Sequence, residues 1–333
     1  MFEKVYSFGD VLLVPQKSDI ESRSEIDISV NLGSRSYPLP VISSPMDTVT
    51  ESAMANCMAE VGGFGIVHRY CSIKDQCAML SVTRRAAAVG VVGDFKERVS
   101  ALVSAGAELI CIDVAHGHHS LTEQAIKLLK DKYGESITII AGNIATQKGY
   151  SDLSSWGADA VRVGIGGGSI CSTRIQTGHG VPTFQSILYC SAAKGNAKII
   201  ADGGLQTAGD IVKAYAAGAD LVMLGSLLAG TDESPGQVFT DMQNKKYKVY
   251  RGMASKEAQV DWRGESRSLE GISTTIPYKG PVLNILRDLE QNIRSGLSYS
   301  GARNLKELRE KAEFIEQSLS GQAESGTHIL NDR

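Results

Sequence analysis

The segment Gly164-Ile165-Gly166-Gly167-Gly168-Ser169-Ile170-Cys171 places a thiol at the end of a glycine-rich loop. Glycines at 164, 166, 167 and 168 accept positive φ and let the backbone approach a ligand closely, and Ser169 adds a hydroxyl donor. A thiol just beyond such a loop sits where backbone N–H groups and helix N-termini favour the thiolate, which makes Cys171 a candidate nucleophile. Most cysteines are small buried hydrophobes, and Cys57, Cys111 and Cys190, in apolar or helical surroundings, fit that description. Cys171 differs, being followed by Ser172, Thr173 and Arg174. The six cysteines form no close C-x-x-C pair, so neither a zinc site nor a disulfide framework is indicated.

Two more loops, Asp202-Gly203-Gly204 and Leu224-Gly225-Ser226, have the composition of phosphate-binding turns, although structural turns look the same. Asp113 leads into Ala-His-Gly-His-His, and its carboxylate, like that of Asp202, can accept ribose hydroxyls or simply cap a helix. His116, His118 and His119 are of metal-ligating type, but no carboxylate stands at a spacing that completes a site. Glu270, beside Gly271, reads as a proton-transfer group, a base-recognising acceptor or a solvated surface residue.

The elements that must position these residues are short β-branched runs alternating with helical stretches. Strands are expected at 40–46, 64–68, 87–92, 109–114, 138–143, 160–165, 198–203 and 221–226, with amphipathic helices such as 121–131 and 207–216 between them. Nearly continuous apolar strands imply a parallel sheet covered on both faces. Eight such units predict a closed (β/α)8 TIM barrel, with a doubly wound open sheet as the alternative. Small, polar and charged residues collect where the strands end, the rim on which barrels carry their active sites. A single catalytic domain is expected over 1–320, with a polar segment at 231–273 whose part from about 253 to 273 reads as a mobile flap. A last helix is expected over roughly 304–319, and residues 321–333 read as a disordered tail.

Of 333 residues, 42% are hydrophobic and 21% charged, enough chain and apolar content for a sizeable core. A net charge of −3 without a long basic run argues against nucleic-acid binding, so an anionic ligand would be held by local donors. No window has the length of a membrane span, and the charged start MFEKVYSFGDVLL lacks the apolar run of a signal peptide. A reducing cytoplasmic setting, which keeps thiols usable, is the natural expectation.

The motifs FGDVLLVP (8–15), SRSEIDIS (22–29), SPMDTVTE (44–51), GGFGIVHR (62–69), IDVAHGHHS (112–120), AGNIAT (141–146), GIGGGSICSTR (164–174), ADGGL (201–205), LGS (224–226), YRGM (250–253) and the pairing of EG (270–271) with PYKG (277–280) occur in order. On them the chain resembles the inosine monophosphate dehydrogenase and GMP reductase family over about residues 5–312. The resemblance implies a barrel in which Cys171 attacks C2 of a purine nucleotide to form a thioimidate, with hydride exchanged at C2 by a nicotinamide cofactor. It implies that Ser44, Met46, Ser169, Asp202, Gly203, Gly204, Gly225, Ser226 and the Tyr250-Arg251-Gly252-Met253 segment hold the nucleotide. Asp113 and Gly164-Ile165-Gly166 would lie near the cofactor. Carbonyls of Gly166, Gly168 and Cys171 would form a monovalent-cation loop for K+, and the assembly would be a homotetramer.

The resemblance also bears on which reaction is run. In the dehydrogenase branch an Arg-Tyr pair on a long flap activates water, whereas residues 254–269 here contain no Tyr, and Arg263 follows Trp262. The link from His68 to Ala87 leaves no room for the paired CBS-type regulatory insert common in that branch. Cys171-Ser172-Thr173-Arg174-x-x-Thr177-Gly178-x-Gly180 is similar to the reductase pattern, in which Thr173 and Glu270 would protonate the departing amine. NADPH-dependent conversion of GMP to IMP is therefore expected. SPMDTVTE, GGFGIVHR and YRGM look closer to the dehydrogenase branch, which keeps NAD-dependent oxidation of IMP as the alternative. A shifted preference, for a deoxynucleotide or another 2-aminopurine, and a catalytically silent nucleotide-binding barrel are the remaining readings.

Overall fold

The computed structural model describes residues 2–80 and 82–326. Eight parallel strands close into a barrel: β1 (Val41–Ser43), β2 (Phe64–Val67), β3 (Ala86–Val89), β4 (Leu109–Asp113), β5 (Thr138–Ile144), β6 (Ala160–Val163), β7 (Lys198–Asp202) and β8 (Leu221–Leu224). Closure is made by β8 against β1, with Val222 opposite Val41 and Met223 opposite Ile42. This settles the choice between barrel and open sheet, and each strand begins within one residue of the expected run.

The strands are short and β-branched, and most are buried along their whole length, as a sheet walled inside by side chains and outside by helices requires. The helices form because apolar residues recur at helical spacing between good caps. In Ser120–Tyr133, Thr122, Ala125, Ile126 and Leu129 face inward and His119 accepts from the Leu121 N–H at 3.1 Å. In Ala208–Ala217, Thr207 and Asp210 make a capping box, and Gly218 ends the helix. The longest helix, Val282–Tyr299, buries Val282, Leu286, Leu289, Ile293 and Leu297 as one stripe. A Cβ at Gly296 would lie 2.6 Å from Val212, so the missing side chain sets how closely this helix packs.

Additions to the barrel differ from expectation in two places. The helix expected over 304–319 is Leu305–Lys311 only. The chain then pairs Phe314–Glu316 antiparallel with Val11–Leu13, a partner about 300 positions away that local pattern cannot reveal. The expected disordered tail begins inside a short helix, Leu319–Glu324, N-capped by Ser318, while residues 327–333 lie outside the described residues. The polar segment expected at 231–273 carries regular structure: Phe239–Thr240, Lys246–Arg251 and, at its end, Ser273–Pro277 form an antiparallel sheet, and Lys256–Arg263, within the expected flap, is a helix capped by Ser255. Among the described residues no helix is long and apolar enough to cross a membrane.

Candidate active site

A cavity of about 330 Å³ opens at the C-terminal rim of the strands. Every residue singled out from the sequence as catalytic, nucleotide-binding or cofactor-binding lines it, with one exception. Arg251 does not: its guanidinium is turned to Asp47 and Asp261. Burial disfavours the charge of Arg251, but its hydrogen bonds to those carboxylates hold it above its ordinary range.

β6 delivers the cysteine loop. Gly164, at φ 148°, has no room for a side chain, since a Cβ there would fall 1.9 Å from the Asp202 carbonyl oxygen. The loop closes through the Cys171 N–H, which donates to the Gly168 carbonyl at 3.1 Å, and the short helix Thr173–Thr177 follows. The flap then clamps this turn from the other side. Ser172 N–H donates to the Glu270 carbonyl at 2.9 Å and Ile272 N–H to the Ile170 carbonyl at 3.1 Å, bracketing a bridge between Cys171 and Gly271. The register brings the Glu270 side chain to Thr173, and a hydrogen-bonded relay results. The Cys171 thiol donates to Thr173 Oγ1 at 3.1 Å, and that hydroxyl donates to Glu270 Oε2 at 2.8 Å. A nucleophile, a bridging hydroxyl and a carboxylate in line can attack an electrophilic carbon and then pass a proton to a leaving group on it.

Around this relay the cavity is shaped for a ligand. A Cβ at Gly225 would meet Tyr250 Oη at 2.9 Å, Ser44 Oγ at 3.2 Å and Met46 Sδ at 3.4 Å, so glycine keeps that corner open. Ser44 Oγ is buried without a hydrogen-bond partner, an orphaned group of the kind that a bound ligand satisfies. Burial pushes the Tyr250 phenol up to about 12, against a hydrogen bond with Ser169, so it stays a neutral donor. Gly203 and Gly204 take φ of 90° and 79°, and a Cβ at Gly203 would stand 3.0 Å from the Gly168 N–H, so two of the glycine loops meet there.

The cavity is also lined by a residue that the sequence reading passed over. Arg162, in the middle of β6, is buried and donates to Asp113 Oδ1 at 2.5 Å and to Asp202 Oδ2 at 2.8 and 3.2 Å. Asn143 Nδ2 adds a third donor to Asp202 Oδ2 at 2.8 Å. Burial penalises the guanidinium, but Asp202 and Asp113 outweigh it and keep Arg162 far above its ordinary range. The signal was present, because a charge inside the apolar run Ala160-Val161-Arg162-Val163 must find buried partners. The histidines take structural places instead: His118 Nε2 lies 2.7 Å from Asp152 Oδ2, and His119 caps its helix. Among the described residues no group of three His, Cys, Asp or Glu side chains is set to hold a metal ion. Arg263 is exposed at the end of the flap helix and does not line the cavity.

The other thiols are quiet. Burial pushes Cys57 and Cys71 up to about 11 and Cys111 and Cys190 up to about 12, and it raises Cys77 as well.

Comparison with known proteins bears on the same site. The family model of the IMP dehydrogenase / GMP reductase domain matches residues 5–328. The chain is 37% identical to a GMP reductase of Paracidovorax citrulli, covering 98% of this chain and 99% of that one. It is 34% identical to an inosine-5'-monophosphate dehydrogenase of Nitrosopumilus maritimus, with 98% of each covered. That alignment runs over 472 positions against 333 residues here, so it spans extra sequence in the relative. A crystal structure of a GMP reductase variant from Trypanosoma brucei in complex with guanosine 5'-monophosphate superposes with a TM-score of 0.92 at 30% identity, covering 98% of both chains. The chain belongs to the IMP dehydrogenase / GMP reductase family.

Proposed function

We propose that the protein is a GMP reductase, converting GMP to IMP and ammonia with NADPH. The observation that carries this reading is the Cys171–Thr173–Glu270 relay. Cys171 is the nucleophile that attacks C2 of the purine, and Thr173, backed by Glu270, is placed to hand a proton to the 2-amino group as ammonia leaves. The result is a thioimidate between Cys171 Sγ and C2. A bound nicotinamide cofactor supplies the hydride that turns this adduct into IMP.

The pocket chemistry suits both ligands. Ser44 Oγ, the Tyr250 hydroxyl and the glycine-lined turns at 203–204 and 225–226 are neutral donors and open backbone, as a nucleotide monophosphate requires. Asp113 commits Oδ1 to Arg162 but holds Oδ2 3.8 Å from Arg69 Nε, beyond hydrogen-bond reach, which leaves an acceptor for a ribose hydroxyl of the cofactor. Arg69, Gly164 and Ile165 extend the same wall. The carbonyls of Gly166, Gly168 and Cys171 share one turn, and neutral oxygens of that kind suit a hard monovalent cation such as K+ rather than a transition metal. A homotetramer is carried as part of the same family reading.

IMP dehydrogenation would require the flap to activate water. The flap's Arg263 is exposed and outside the cavity, which favours the reductase direction. The test is Cys171→Ala. It should retain GMP binding by calorimetry while losing all NADPH oxidation, and a variant that still turns over would remove the covalent mechanism.

A further inference from the structure

Two lysines outside the cavity hold the segment of chain that follows β8. Lys279 Nζ donates to the Ser226 carbonyl and, at 3.3 Å, to the Leu227 carbonyl, while its backbone N–H donates to the Gly230 carbonyl at 2.9 Å. Lys248 Nζ donates to the Thr231 carbonyl at 2.9 Å and to the Ser234 carbonyl. Loss of water pushes both ammoniums below the ordinary lysine range, and the carbonyls replace part of that lost hydration. The turn that Lys279 grips begins at Gly225 and Ser226, which line the cavity. The Gly225 carbonyl closes it by accepting from the Leu228 and Ala229 N–H groups at 3.0 and 2.9 Å. The Ser226 carbonyl and the Leu227 N–H belong to one planar trans peptide and point opposite ways, so an ammonium on that carbonyl fixes the direction of the N–H. Lys248 does for Tyr250 what Lys279 does for the turn. The two are buried on one face of Lys246–Arg251, two residues apart, and a Cβ at Gly225 would lie 2.9 Å from the Tyr250 hydroxyl. The partnerless Ser44 Oγ faces the same corner.

We propose that Lys279 and Lys248 are positioning residues for the phosphate of the nucleotide. By holding the carbonyls of 226–234 they set the Gly225–Ser226 turn and the Tyr250 hydroxyl in place to receive it. The proposal rests on the reading of the cavity as a nucleotide monophosphate site. Neither lysine lines that cavity, so neither acts as a direct phosphate ligand. A cation on the carbonyl edge of a peptide also polarises it, which strengthens the N–H on the opposite edge as a donor to an anion. Losing either lysine should therefore cost the phosphate's share of binding and spare the nucleoside's, because Cys171, Thr173, Asp202 and Glu270 stand on other segments.

The experiment uses the full chain and measures GMP and guanosine binding by calorimetry, together with steady-state kinetics for GMP with NADPH. Wild-type protein should bind GMP much more tightly than guanosine. Lys279→Met should weaken GMP by about tenfold and leave guanosine within about twofold. KM for GMP should rise in step, with kcat within about threefold of wild type. Lys279→Arg keeps a cation with donors and should recover most of the GMP affinity, which a change in overall stability would not do. Lys248→Met should act in the same direction. Lys279 is the more exposed of the two, so its variants carry the test if Lys248→Met fails to fold. A folded Lys279→Met that keeps the wild-type ratio of the two affinities, or that loses both ligands equally, would overturn the proposal. Wild-type protein that binds GMP tightly but makes no IMP would instead refute the reductase reading, and the affinity ratio would still decide the role of the lysines.

Discussion

Thr173 donates its hydroxyl proton to Glu270 Oε2 across 2.8 Å, joining residues 97 positions apart in the chain. The contact exists because the flap pairs with the cysteine loop on both sides of the Cys171–Gly271 bridge. A backbone ladder, rather than side-chain attraction alone, therefore sets the distance between the thiol and the carboxylate.

Removing the acid end of this relay should slow deamination more than it weakens binding. General acid groups contribute on the order of 10²–10⁴ in rate. Glu270→Gln is expected to lower kcat for GMP by at least about a hundredfold while KM moves little, since Oε2 is committed to the Thr173 hydroxyl. Steady-state kinetics decides this, and a variant retaining a third of wild-type kcat would remove Glu270 from the proton path.

The thiols should separate by pH. Burial holds Cys57 and Cys71 at about 11 and Cys111 and Cys190 at about 12, so these groups remain protonated and unreactive well above neutrality. Iodoacetamide at pH 8 should alkylate Cys171 first, with GMP protecting it, and labelling of these four thiols should begin only as pH approaches 11. Peptide mass spectrometry reads the order, and early labelling of Cys57 or Cys71 would contradict it.

Arg162 is expected to matter for stability before it matters for catalysis. It is the buried counter-charge of both Asp113 and Asp202, and removing one member of such a cluster costs about 3–5 kcal/mol because the remaining charges are left unpaired. Arg162→Met should lose about that much in urea unfolding. A loss under about 1 kcal/mol would mean that the two carboxylates find other partners.

Much of this was legible in the sequence, for reasons that differ by residue. The barrel strands show because parallel strands buried on both faces read as apolar runs, as Leu109-Ile110-Cys111-Ile112 does. Cys171 and the glycine loops show because a ligand-cradling turn needs those residue types locally, whereas Ser44 shows only through the family motif SPMDTVTE. Contacts made by distant segments do not show. The strand Phe314–Glu316 has its partner at Val11–Leu13, and the stack of Trp262 on Tyr70 joins a flap helix to the loop after β2. The sheet at 239–277 was invisible for another reason: half-exposed strands such as Ser273–Pro277 lack a clear alternation. Arg251 was placed with the nucleotide-binding residues through its motif neighbours Tyr250 and Met253. On a strand, however, successive side chains point to opposite faces, and Arg251 points away from Tyr250, toward Asp47.

The most direct measurement is product stoichiometry with GMP and NADPH, compared with IMP and NAD+ on the same preparation. The account predicts one IMP and one ammonia for each NADPH consumed, with little or no xanthosine monophosphate from IMP. Faster oxidation of IMP to xanthosine monophosphate, with no IMP formed from GMP, would contradict it.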